Sequence, residues 1–357
     1  MDRRLAPLGL ALLLALGAEA RADGAAGTPS VTFLEGEAGR KAIVDESVEP
    51  YFSLLQPIEM AAKTKASLEG ADLAAQRADC RRLYQEAVIA VTDEEKKAVT
   101  ALVTRVHGAW ASQYPLLAKT AWSFIPLADT IEGGLPHTRG SSIVLQQAVL
   151  HMMVRAAKKP EDPITPEMLG LLAHEQSHVV QRLHPEMFAR LYTGAWGYVR
   201  AKDVASHPWL DRQHLGNPDG IDVGWVFPLK EDGATTYIQP LVVFSEGPEP
   251  RSMPQDFQAI GVTMEKKGDA FRPKEDGERP LFRDLGTLPA YQDLWGGVGE
   301  TFHPNEIFAC LFAGMVVKDH FKGPGLERPS EAAGKDFARL RSWCRENFSG
   351  KAALAPK

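Results

Sequence analysis

Two histidines four residues apart with a glutamate directly after the first, His174-Glu175-Gln176-Ser177-His178, form the most chemically loaded segment of this chain. On an α-helix residues four apart lie one turn above each other on the same face, so both imidazoles can reach one cation. Glu175 is offset by one residue, which directs its carboxylate beside the ion and toward a bound water. Zinc suits this ligand type. It lowers the pKa of such a water toward about 7 and polarises a carbonyl, which is the chemistry of metal-assisted hydrolysis with Glu175 as general base.

A catalytic zinc commonly takes three protein ligands and keeps one open position. Two residues compete for the third place. His184 follows His178 by six residues, the spacing of the longer H-E-x-x-H-x-x-G-x-x-H pattern, but Gln181 stands where that pattern breaks the helix with glycine. If the helix continues, His184 points about 240° away from His178. Glu306, in His303-Pro304-Asn305-Glu306-Ile307-Phe308-Ala309, would face the first helix from the opening turn of a second one, and it is the residue assigned here. A first-turn acid that only complements the helix dipole is the plain structural alternative.

These residues need two helices to carry them. Thr165-Pro166-Glu167 starts one with a cap, proline at the first helical position and an early acid, and Pro185 ends it near Leu183. Pro304 starts the other, which runs through Val317. Further helices are predicted over Leu73–Val91, from the Thr92-Asp93-Glu94-Glu95 capping box to about Gln113, and from Ser330 to about Asn347. Lys119–Leu127 and Ser142–Leu145 read as strands, the run Ile143-Val144-Leu145 being either a sheet edge that could pair with an extended peptide or a plain core strand. From about 203 to 289 proline and glycine become frequent. Trp225–Leu229, Tyr237–Phe244 and Ala259–Met264 read there as strands of a small sheet in a loop-rich insertion.

The segments His137-Thr138-Arg139-Gly140, Asn217-Pro218-Asp219 and His303-Pro304-Asn305-Glu306, taken with the zinc motif, resemble an uncharacterised group of exported bacterial proteins related to zincin metallopeptidases. The likeness spans about Val31 to Val317. It implies an α+β zincin-like fold, a small twisted sheet with the active-site helix beneath it, and zinc held by His174, His178 and Glu306. In that group the zinc helix is followed by a Leu-Tyr pair, here Leu191-Tyr192. The chain departs from the group in Gln176 and Ser177, where bulkier apolar residues are usual; ligation is unaffected and the pocket's shape is altered.

Hydrolysis through zinc usually enlists a donor to the developing oxyanion. Tyr192, Tyr198, His214 and His303 are candidates, and Tyr192 is carried forward as the catalytic one. Asp219 and Asp222 could orient a ligating histidine from behind, although Asn217-Pro218-Asp219-Gly220 is equally a good turn sequence.

The remaining features set the context. Arg3 and Arg4, an apolar stretch from Leu5 to Gly17 and Ala20-Arg21-Ala22 have the order of a secretory signal peptide over residues 1–22, followed by a small-residue leader over 23–30. The reading is therefore an exported protein with one catalytic domain over 31–347, a tail over 348–357 and no membrane span in the mature chain. A net charge of -6 without basic runs argues against a nucleic-acid partner. Cys80, Cys310 and Cys344 make no disulfide framework, and Cys310–Cys344 is the one pair to test. The expected activity is that of a zinc-dependent peptidase acting on a peptide or protein. A zinc hydrolase of other amides or esters, and a non-catalytic zinc-binding protein, are the alternatives.

Overall fold

The computed structural model describes residues 28–68, 70, 72–158, 161–231, 233–247, 251–321 and 331–349, with backbone alone over 331–336. The expected signal peptide and most of the expected leader and tail lie outside these residues. The fold is mixed α+β. Its first half holds β1 (Val31–Phe33), α1 (Gly36–Ile43), α2 (Pro57–Thr64), α3 (Leu73–Glu86), α4 (Asp93–Trp110), α5 (Pro115–Lys119), β2 (Trp122–Leu127), β3 (His137–Arg139), β4 (Ser142–Gln146), α6 (Gln147–Ala157) and α7 (Pro166–Leu183). The predicted strand from Lys119 divides, because Pro115 starts a short helix that ends there before the chain extends.

Strands β1, β2 and β4 run parallel, and β3 closes one edge antiparallel to β4, giving the order β1-β2-β4-β3. The run Ile143-Val144-Leu145 is thus an interior strand, flanked by β2 and β3, and not a free edge. Helix α7 packs on β3 and β4. Its apolar positions Met168, Leu169, Leu172, Val179 and Val180 are buried in the main core with Val99, Leu102, Val106 and Trp110 of α4.

After α7 come α8 (Pro185–Arg190) and a π-helical turn at Leu191–Ala195. The insertion then builds β5 (Val199–Arg200), β6 (Asp203–Val204), α9 (Pro208–Gln213), β7 (Trp225–Glu231), β8 (Ala234–Phe244), β9 (Phe257–Lys267), β10 (Ala270–Pro273), the pair β11 (Glu275–Asp276) and β12 (Arg279–Pro280), and β13 (Phe282–Asp284). Seven of these strands form one sheet, β5-β7-β8-β9-β10-β6 with β13 on β9, which is larger than the small sheet expected. Trp225, Phe227, Leu229 and Ile238 join the same core as α7, so the insertion is built into the fold. The chain closes with α10 (Pro289–Trp295), α11 (Pro304–His320), packed along α7, and α12 (Glu331–Asn347). Among the described residues no helix is long and apolar enough to cross a membrane.

Candidate metal centre

Helix α7 begins as its sequence requires. Thr165 caps it by accepting from the Met168 amide at 3.3 Å, and Pro166 fills a position that needs no donor. Its hydrophobic stripe turns His174 and His178 to one side, with ring centroids 4.7 Å apart and the two Nε2 atoms 3.0 Å apart. Opposite them, His303 caps α11 by accepting from the Asn305 amide at 3.1 Å, and Glu306 enters from its first turn. Glu306 Oε2 lies 3.3 Å from both imidazole Nε2 atoms. In a tetrahedral zinc shell with bonds of about 2.0–2.1 Å, neighbouring ligand atoms are separated by about 3.3 Å. The spacings of 3.0, 3.3 and 3.3 Å match that shell.

Buried groups hold each ligand. His178 Nδ1–H donates to Gln181 Oε1 at 2.7 Å, which turns Nε2 toward His174 and Glu306 and makes it the atom that can ligate once its proton is lost. Gln181 is fixed in turn, its Nε2 donating to Tyr192 Oη and to the Asn305 carbonyl at 3.0 Å each. Asn217 Nδ2 donates to Glu306 Oε1 at 2.6 Å, leaving Oε2 facing the histidines without a hydrogen-bond donor. Cys310 Sγ lies 3.9 Å from His174 Nδ1. The Asn217 loop is itself gripped by α2, where Glu59 accepts from the Gly216 amide at 2.5 Å and Lys63 donates to its carbonyl at 2.9 Å.

The electrostatics are those of a cation site. Burial alone would lower the pKa of His178, but the Glu306 and Asp219 carboxylates more than reverse this and bring it to about 10. Burial opposes ionisation of Glu306, and His178 overrides it, holding the carboxyl well below its usual range. Burial, then the charge of Asp219, push Glu175 well upward. Glu300 is raised by burial and by the Glu306 carboxylate. His174, Glu175, Glu300 and Glu306 line a cleft of about 800 Å³, where a substrate could reach the centre.

His174, Glu175, His178 and Glu306 are thus brought together as the sequence indicated. His184 is not with them: it ends α7 and starts α8, outside the group of converging ligand atoms. Tyr192, expected as an oxyanion donor, lies away from the cleft. It is buried behind α7, its hydroxyl donating to Asn305 Oδ1 at 2.9 Å and accepting from Gln181, and it is not among the residues lining the cleft. Tyr198 pairs with Tyr291, while His214 and His303 line a separate small pocket. Asp222 holds Arg200 and accepts from His303 only through its backbone carbonyl. Asp219 touches no ligating histidine; it accepts from the Thr138 amide at 2.8 Å and from Arg182 at 3.3 Å. All three cysteines are free, so Cys310 and Cys344 form no bridge. The sequence reading missed Gln181, Asn217 and Glu300. Only Gln181, one helical turn beyond His178, carried a local signal.

Comparison with known proteins returns no matching family model, no matching curated protein and no matching solved structure.

Proposed function

We propose that the protein is an exported zinc-dependent hydrolase that cleaves carbonyl–nitrogen bonds, with a zincin-like fold and the peptidase as its first reading. The observation that carries this is the convergence of His174, His178 and Glu306 ligand atoms within 3.3 Å of one another at a cleft that also holds Glu175. The antiparallel edge strand β3 beside α7 supports the zincin-like arrangement. Export rests on the order of residues 1–22, and zinc on the ligand types.

Zinc bound by these three residues would polarise the substrate carbonyl and acidify an attacking water. Glu175 would take the proton from that water and later deliver it to the leaving nitrogen. Gln181 keeps the His178 imidazole aimed. A second reading, a hydrolase of non-peptide amides or esters, uses the same residues. It is favoured by one contact: the Thr138 amide, which faces outward from β3, is already bonded to Asp219 Oδ1, and Pro136 two residues earlier has no N–H. The edge offers an extended peptide no donor from these residues.

Replacing Glu175 with Gln tests the reading. The variant should retain zinc at the wild-type level and lose turnover of amide and ester substrates by on the order of a thousandfold or more. Undiminished turnover would remove Glu175 from the mechanism, and the hydrolase reading with it.

A further inference from the structure

The cleft does not stop at the metal ligands. It continues as a trough over the seam between α7 and α11, where Gly170, Leu171, Ala313, Gly314 and Val317 line it. Val149 and Met152 of α6, with Phe337 of α12, complete the walls among the described residues. The glycines leave the trough without side chains at two points: a Cβ on Gly170 would just touch Val317 Cγ2 at 3.5 Å, and one on Gly314 would just touch Phe337 Cζ at 3.4 Å, so a longer side chain there would fill it. Glu167 and Lys318 mark the far end.

Two observations decide what fits. Along Gly170, Leu171, Ala313 and Gly314 the walls are helix interiors, whose backbone N–H and C=O groups bond within the helix. A polypeptide laid along them would bury its own amides without partners, at a cost a hydrocarbon chain does not incur. The strand edge that could have supplied main-chain bonds is closed at Thr138 by Asp219.

Resting on the hydrolase reading, we propose that the substrate is an amide or ester of a medium-length acyl chain, with the chain in the trough and its carbonyl at the zinc site. Water adds to the acyl carbon, the bond from that carbon to nitrogen or oxygen breaks, and the proton taken by Glu175 goes to the leaving amine or alcohol, releasing a carboxylate. Length follows from the helices. The stretch from His174 to Glu167 rises about 10 Å and that from Glu306 to Val317 about 16 Å. An extended chain advances about 1.2 Å per bond, so the trough takes roughly 8 to 13 carbons.

The test measures binding of acetate, hexanoate and decanoate to zinc-loaded Glu175→Gln protein by calorimetry, and hydrolysis of the matching acyl anilides by the wild type. Affinity should rise about fourfold per methylene, on the order of a hundredfold from hexanoate to decanoate. The Gly314→Leu change should erase most of that gain while zinc content stays at one per chain. Affinity independent of chain length would overturn the trough assignment, as would an unstructured protein being cleaved while the acyl series stays flat; the latter leaves the hydrolase reading standing. Chain-length-dependent binding without hydrolysis of any acyl anilide would uphold the trough and overturn the hydrolase reading instead.

Discussion

Asn217 Nδ2 donates to Glu306 Oε1 at 2.6 Å, and this contact determines which carboxylate oxygen faces His174 and His178. Residues 89 apart in sequence are joined by it, and the loop that carries Asn217 is fixed at both ends. On one side Glu59 and Lys63 hold the Gly216 peptide; on the other Asn305 Nδ2 donates to the Asp219 carbonyl at 2.8 Å, and Arg182 donates to the Pro218 carbonyl. The loop therefore connects α2, α7, α11 and the edge strand β3 around the candidate metal centre.

Removing the Asn217 amide should free Glu306 to rotate. Partners that orient a ligand typically contribute 10- to 100-fold in metal affinity, so Asn217→Ala is expected to bind zinc about 10- to 100-fold more weakly in a chelator competition. Affinity equal to wild type would mean that packing alone orients Glu306.

Zinc bound at this site would also displace a proton. In the metal-free protein the Glu306 and Asp219 charges raise His178 to about 10, so at pH 8 the ring carries a proton that ligation through Nε2 expels. Calorimetry in buffers of different ionisation enthalpy should report release of about one proton per zinc at pH 8, fading as the pH passes 10. The same shift acts on stability. His178 is raised from its unfolded value of 6.5, so its contribution is complete below pH 6.5 and is lost as the pH rises through 10. The metal-free protein should thus lose on the order of 5 kcal/mol across that window.

The clamp on Gly216 depends on one buried cation. Lys63 is fully buried, donating to Glu132 Oε2 at 2.9 Å and to Tyr51 Oη at 2.7 Å, while both Tyr51 and Tyr84 donate to Glu132. Glu132 itself adopts a left-handed backbone (φ 52°) at the turn that leads into β3. Lys63→Met would leave that carboxylate buried and uncompensated, a loss of about 3–5 kcal/mol. Denaturant unfolding would measure it; a change below about 0.5 kcal/mol would show that the network adds little.

The sequence made the helices of the site legible because their starts are local. Thr165-Pro166 and His303-Pro304 announce α7 and α11, and on α7 the apolar spacing fixes the face His174 and His178 present; α11 is buried on nearly every side, so Glu306 is placed by its position in the first turn alone. What surrounds them was not legible. Strand β3 is three residues of mixed polarity, His137-Thr138-Arg139, made a strand by pairing with β4 and too short for any period to declare it. Helix α6 follows β4 without an intervening turn, so no loop separates the two patterns. Tyr192 reads the same in sequence whether it faces the cleft or the core, and the fold turns it inward, toward Gln181. Asn217 lies in a segment whose turn chemistry was evident, while its contact with Glu306 depends on tertiary packing.

X-ray absorption at the zinc edge would address the metal centre most directly. With zinc bound at one equivalent, the account predicts two imidazole nitrogens at about 2.0–2.1 Å and oxygen ligands at about 2.0–2.2 Å, with the oxygen contribution reduced in Glu306→Ala. A sulfur shell at about 2.3 Å, placing Cys310 on the metal, or a spectrum unchanged by the Glu306 substitution, would contradict it.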